Sequence, residues 1–122
     1  MKEENVIQKK SYDFAIKITQ VYHHLIDSKK EFVLGKQLLR SGTSFGANIE
    51  EAIGTQSKKD FFMKITTAYK ETRETIYWLC LLSDTNILNV DIAQNLLKSA
   101  QELQKIIGAI QNTMRKNHIG NS

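Results

Sequence analysis

Apolar residues recur along most of this chain at steps of three and four, the signature of amphipathic helices. Phe14, Ile18, Val21 and Leu25 follow one another at four, three and four, with Ala15, Tyr22 and Ile26 on the adjacent row. This predicts a first helix over residues 5–27. Residues 31–55 carry two neighbouring seams, one of Gly35, Leu39, Gly42, Gly46, Ile49 and Ile53, the other of Leu34, Leu38, Ser41, Phe45, Asn48 and Ala52. Both step as a bundle helix does. Phe61, Ile65, Ala68, Thr72, Thr75, Leu79 and Leu82 mark a third helix over 58–85, opened by Ser57 as N-cap with Asp60 three residues on. Ala93, Leu96, Ala100, Leu103, Ile107, Ile110 and Met114 give the most regular stripe, a fourth helix over 91–115, with Asp91 and Gln94 as a second capping pair. Residues 116–122 read as a loose tail.

Four such helices joined by short connections predict an all-α fold, an antiparallel up-down-up-down four-helix bundle forming one domain over 1–122. The absence of proline from all 122 residues agrees, since proline interrupts helices.

Two stretches strain this pattern. Gly42 and Gly46 lie inside the second helix, where each glycine costs about 1 kcal/mol relative to alanine. Close approach of a neighbouring backbone would offset that cost; a break at Ser41-Gly42-Thr43 is the competing reading. Residues 76–82 are apolar on nearly every side. A helix apolar all round needs cover all round. Either this half of the third helix is central, or Tyr77, Trp78 and Leu81 meet another subunit.

Composition narrows the class. One cysteine, Cys80, excludes an intrachain disulfide framework and fits a reducing compartment. The polar N-terminus lacks an apolar signal core, and the longest apolar run is too short for a bilayer. A cytoplasmic protein without membrane contact is expected. The formal net charge of +4 leans mildly toward anionic partners, although many soluble proteins carry such an excess.

Catalytic patterns fail on context. Gly42-Thr43-Ser44-Phe45-Gly46 matches the nucleophile-elbow letters, but that chemistry needs a strand before the serine and an acid and a histidine after it. No strand precedes it, and the later histidine, His118, falls in the tail. His23 and His24 lack the Glu-x-x-His spacing of a carboxylate-bridged metal pair and point about 100° apart on a helix. Cys80, inside the apolar run, reads as a small core residue. No catalytic residue, cofactor, metal or small-molecule substrate is expected.

Polar residues beside the small-residue seam suggest structure instead. Arg40, Asn48, Glu51, Lys70 and Glu74 are expected to form a partly buried network between helices, with Lys70 and Glu74 one turn apart; solvated side chains are the alternative. Basic residues come in pairs: Lys9 and Lys10, Lys29 and Lys30, Lys58 and Lys59, Arg115 and Lys116. They are not interleaved with aromatics, so any nucleic-acid contact through them would be to phosphates, salt-sensitive and indifferent to sequence.

Residues 37–52, with Ser41-Gly42-Thr43-Ser44 and Asn48-Ile49-Glu50-Glu51, then Ser57-Lys58-Lys59-Asp60-Phe61 and residues 68–79, resemble a bacterial four-helix-bundle family. Its members include proteins encoded within intervening sequences of large-subunit ribosomal RNA genes, and it is similar to the accessory variability protein of diversity-generating retroelements. Phe45 departs from the smaller aliphatic residue usual in the family. The resemblance implies a homopentamer. It also implies RNA, or an enzyme acting on nucleic acid, as a partner reached through a basic surface. The expectation is a non-enzymatic, self-assembling bundle that binds RNA without sequence preference. The alternative is a protein-interaction scaffold that touches no nucleic acid.

Overall fold

In a computed structural model, residues 2–120 are described, with side chains for 6–117. Four helices follow in order: α1 (Lys2–Asp27), α2 (Val33–Ile53), α3 (Lys58–Asp84) and α4 (Val90–Gly120). Each packs against its neighbour in sequence, and α1 and α4 close the ring through a slighter contact. Among the described residues the backbones of the diagonal pairs, α1 with α3 and α2 with α4, make no close approach. The architecture is the all-α, up-down-up-down bundle, with no strand among the described residues.

The local sequence explains each boundary. α1 ends in a reversal where the Glu31 N–H donates to the Leu25 carbonyl and Lys30 takes a left-handed φ of 53°. The α3–α4 turn repeats the device, with Ile87 N–H donating to Leu82 O and Asn86 at φ 62°. Asparagine accepts that conformation more readily than lysine does. α2 starts at Val33, two residues later than its seam suggested, because the Glu31 carboxylate accepts from the Val33 and Leu34 N–H groups. Ser57 Oγ accepts from Asp60 N–H at 3.0 Å and opens α3. At α4 the cap is Asn89, whose Oδ1 accepts from the N–H groups of Asp91 and Ile92, so Asp91 belongs to the first turn and is not the cap. The α4 backbone runs on to Gly120, which corrects the loose tail expected from 116; residues 121–122 lie outside the described residues.

The stripes meet at the centre. Ile7, Phe14, Ile18 and Leu25 of α1, Leu38, Phe45 and Ile49 of α2, Ile65, Leu79 and Leu82 of α3, and Ala93, Ala100, Leu103 and Ile107 of α4 are all buried. Phe45 is fully enclosed, its ring tilted against Phe14 at 5.4 Å between centroids. Ser41, Gly42 and Thr43 lie within unbroken α2. The glycine seam faces α1: a Cβ built on Gly42 would stand 2.9 Å from Ile18 Cγ1, and one on Gly46 would stand 3.4 Å from Ser11 Cβ. From the other seam Asn48 reaches across to α3, while Phe45 meets Phe14 of α1.

Cys80 is exposed, not part of the core. It sits one residue beyond buried Leu79, and a helical step of about 100° carries it off the buried stripe. The second half of α3 is likewise not enclosed within the protomer. Tyr77 is 59% exposed, while Trp78 and Leu81 are half-buried.

Candidate functional site

The polar residues of α3 are sorted by helical period. Glu71 and Glu74 point to the α2 side, whereas Lys70 and Arg73 line the α4 side. On the α2 side, Glu74 pairs with Arg40, which also donates to Gln37 Oε1 at 3.0 Å. The same Glu74 oxygen accepts from the Trp78 indole N–H at 3.0 Å. One turn below, Asn48 Nδ2 donates to Glu71 Oε1 at 2.7 Å and to the Ser44 carbonyl at 3.2 Å. Burial pushes the Glu71 carboxyl above its ordinary pKa; the Asn48 N–H and the Arg40 charge oppose that shift in part. Lower still, Lys64 and Glu51 pair at 2.8 Å.

The expected network is therefore three separate contacts between α2 and α3. Lys70 is not in it: the side chain is exposed, and no carboxylate pairs with it among the described residues. Glu74 is engaged across the helix interface by Arg40, so the pairing expected along α3 does not form. Glu51 joins Lys64 instead of Arg40 or Lys70. Glu71 and Trp78, outside the expected network, join it through Asn48 and Glu74. The run Lys70-Glu71-Thr72-Arg73-Glu74 held the signal, because residues three positions apart share a flank of a helix while adjacent residues do not.

The basic pairs are scattered. Lys9 is held by Asp13 at 2.8 Å, and Lys10 pairs with Glu102 across the α1–α4 junction, where it holds the Glu102 carboxyl below its ordinary pKa. Lys29 and Lys30 sit in the α1–α2 connection, at the opposite end of the bundle from Lys58, Lys59, Arg115 and Lys116. Those ends lie roughly 35–40 Å apart, the length of a 26-residue helix. No single patch gathers all eight.

What the packing does gather is a groove of about 450 Å³ between α3 and α4. Lys70 and Arg73 line one wall, Asn112 and Arg115 the other, with Thr66, Tyr69, Gly108 and Gln111 between them. None of these is a carboxylate. Gln111, almost fully buried, donates to Thr66 Oγ1 at 3.2 Å and ties the two helices together at the floor. Gly108 leaves room for the Tyr69 ring; a Cβ there would lie 3.2 Å from Tyr69 Cε2. The Arg115 guanidinium stands 5.7 Å from the centre of the Phe62 ring, a cation–π placement.

The elbow-like serine, Ser44, lies in mid-helix with no strand before it. His23 and His24 are exposed, and no three metal-ligating side chains converge among the described residues. No described helix is long and apolar enough to cross a membrane.

Fold and polar arrangement together define an all-α bundle in which three of the four ion pairs among the described residues join helix to helix. Residues 3–109 match the family of 23S rRNA-intervening sequence proteins, and the chain belongs to that family. It is also similar to a solved structure, a protein of unknown function from the S23 ribosomal protein family of Bacteroides thetaiotaomicron VPI-5482. The two share 42% identity with a TM-score of 0.88, over 90% of this chain and 98% of that one. No curated protein matches the chain.

Proposed function

We propose that this protein is a non-enzymatic, cytoplasmic bundle that assembles with copies of itself, five in the ring its family resemblance implies, and binds RNA through phosphate contacts without sequence preference. The observation that carries the reading is the outer face of α3. Tyr77 stands open to solvent, its ring edge-on to Trp78 at 5.0 Å, with Leu81 one turn on and Met63 exposed lower down the same helix. An apolar face of this kind on a small protein supports contact with another protein surface. Repetition of a +4 protomer around a ring multiplies the charge and strengthens the field that draws in a polyanion. The free thiol of Cys80 agrees with a reducing cytoplasm.

Light scattering tests the assembly. The expected mass is five times the 14.0 kDa protomer, falling in a Tyr77→Lys variant that keeps its helical circular dichroism. A monomer at working concentration would refute self-assembly. Titration of single-stranded RNA at two salt concentrations tests the second half: binding should weaken steeply with salt. An assembled protein that ignores RNA at low salt would instead be a protein-interaction scaffold.

A further inference from the structure

We propose that the α3–α4 groove is the RNA site, and that a single RNA strand runs along it with successive phosphates held by Arg73, Lys70 and Arg115. This deepens, and rests on, the reading that the protein binds RNA. Three observations converge on it. First, charge is segregated across α3: Glu71 and Glu74 are committed to Asn48 and to Arg40 on the α2 flank, which leaves the α4 flank to Lys70 and Arg73. Second, the facing wall is free of acid, since no Asp or Glu follows Glu102 in the chain. None of the three cations is ion-paired among the described residues. Third, the groove is held in shape before any ligand arrives, by the Gln111–Thr66 hydrogen bond, by Tyr69 seated against Gly108 and by Arg115 over Phe62.

Geometry selects a strand over a small anion. Gln111 faces Thr66 and Arg115 faces Phe62, so the two antiparallel helices are in register along the groove. Arg73 lies eleven residues from Phe62, which separates Arg73 from Arg115 by about 16 Å along the axis. One phosphate cannot bridge cations that far apart; a chain of phosphates can. Asn112 and Tyr69 add neutral polar groups between the charges. The arrangement is a cationic track for a backbone, without a row of open aromatic faces on which successive bases would stack.

The test is fluorescence anisotropy of a labelled fifteen-nucleotide RNA against the full chain. The variants are Lys70→Gln/Arg73→Gln/Arg115→Gln, the single reversal Arg73→Glu, and Lys29→Gln/Lys30→Gln at the far end. The groove triple should lose about tenfold or more in affinity, and its salt slope should fall by about 2, at roughly 0.7 per lost phosphate contact. Arg73→Glu should weaken binding in the same direction, and it decides the matter if the triple variant melts early. The Lys29→Gln/Lys30→Gln variant should bind as wild type does. If wild type binds RNA but the groove variants bind equally well, or the loss follows Lys29 and Lys30, the groove is wrong and the RNA reading stands. If wild type binds no RNA at low salt, both fall. Uridine monophosphate competing as well as the fifteen-nucleotide strand would overturn the strand assignment.

Discussion

Gly42 of α2 and Ile18 of α1 are packed so closely that a β-carbon on the glycine would come within 2.9 Å of Ile18 Cγ1. Ile18 is fully buried and has no free direction in which to retreat. The missing side chain sets the distance between the two helices.

Gly42→Ala sets two effects against each other. Alanine improves helix propensity by about 1 kcal/mol, but overpacking a filled core costs about 1–3 kcal/mol. The steric term wins, and a lower melting temperature is expected. Gly35→Ala is the control. Its nearest neighbours, Leu25 Cβ and Tyr22 Cδ1, lie at 3.7 Å, ordinary contact. That variant should match or exceed wild type in a thermal melt.

Glu74→Ala removes the partner of Arg40 and the acceptor of the Trp78 indole together. Arg40 is half-exposed, so solvent screens most of the ion pair's worth. The lost indole hydrogen bond sets the scale, about 1 kcal/mol. Trp78 is the protein's one tryptophan, so its emission should shift in the same variant. Lys70→Ala should stay within about 0.5 kcal/mol of wild type, because no carboxylate pairs with it among the described residues.

Glu71 and Glu102 give opposite pH signatures. Burial raises the Glu71 pKa in the folded state, so the folded protein holds that proton more tightly than the unfolded chain. The group's contribution is favourable when protonated and is lost as pH rises through the raised value. Glu71→Gln keeps an oxygen to accept from Asn48 and removes the buried charge. It should melt higher than wild type at pH 7, with the gap closing at acid pH. Glu102 is the reverse: hydrogen bonding and charge from Lys10 lower its pKa. Its contribution is present above the ordinary carboxylate range and disappears as pH falls through the lowered value. Melts of Glu102→Gln across pH check that direction.

Cys80 is exposed in the protomer, one turn from Tyr77 on the face proposed for assembly, so in the Tyr77→Lys variant it should react with a thiol reagent without denaturant. Cys80→Ser should change stability by no more than about 0.5 kcal/mol. A thiol masked until the protein unfolds would place it under cover, in the core or beneath a neighbouring copy.

Helix number, type and antiparallel order were legible in the chain because each stripe of apolar residues has the period of a helix and the connections are short. Helix ends were less so. Seams do not record caps, and Glu31 and Asn89 close their helix starts through side-chain geometry that no periodicity reports. The interhelical polar contacts were legible only as a neighbourhood. Arg40, Asn48 and Glu74 stand beside the seam, but which carboxylate each meets depends on the axial offset between α2 and α3.

The sequence by itself determined that there are four helices, which face of each is apolar, and that α2 carries a glycine seam. These follow from local rules, since side-chain direction along a helix is set by residue spacing alone. Tertiary structure alone decided that the glycine seam abuts α1, that Trp78 leans on Glu74 while Tyr77 stays bare, and that Lys70, Arg73 and Arg115 share one groove. Those outcomes depend on the rotation and axial offset of one helix against another. Packing of the whole core sets both at once, and no stretch of sequence encodes either alone.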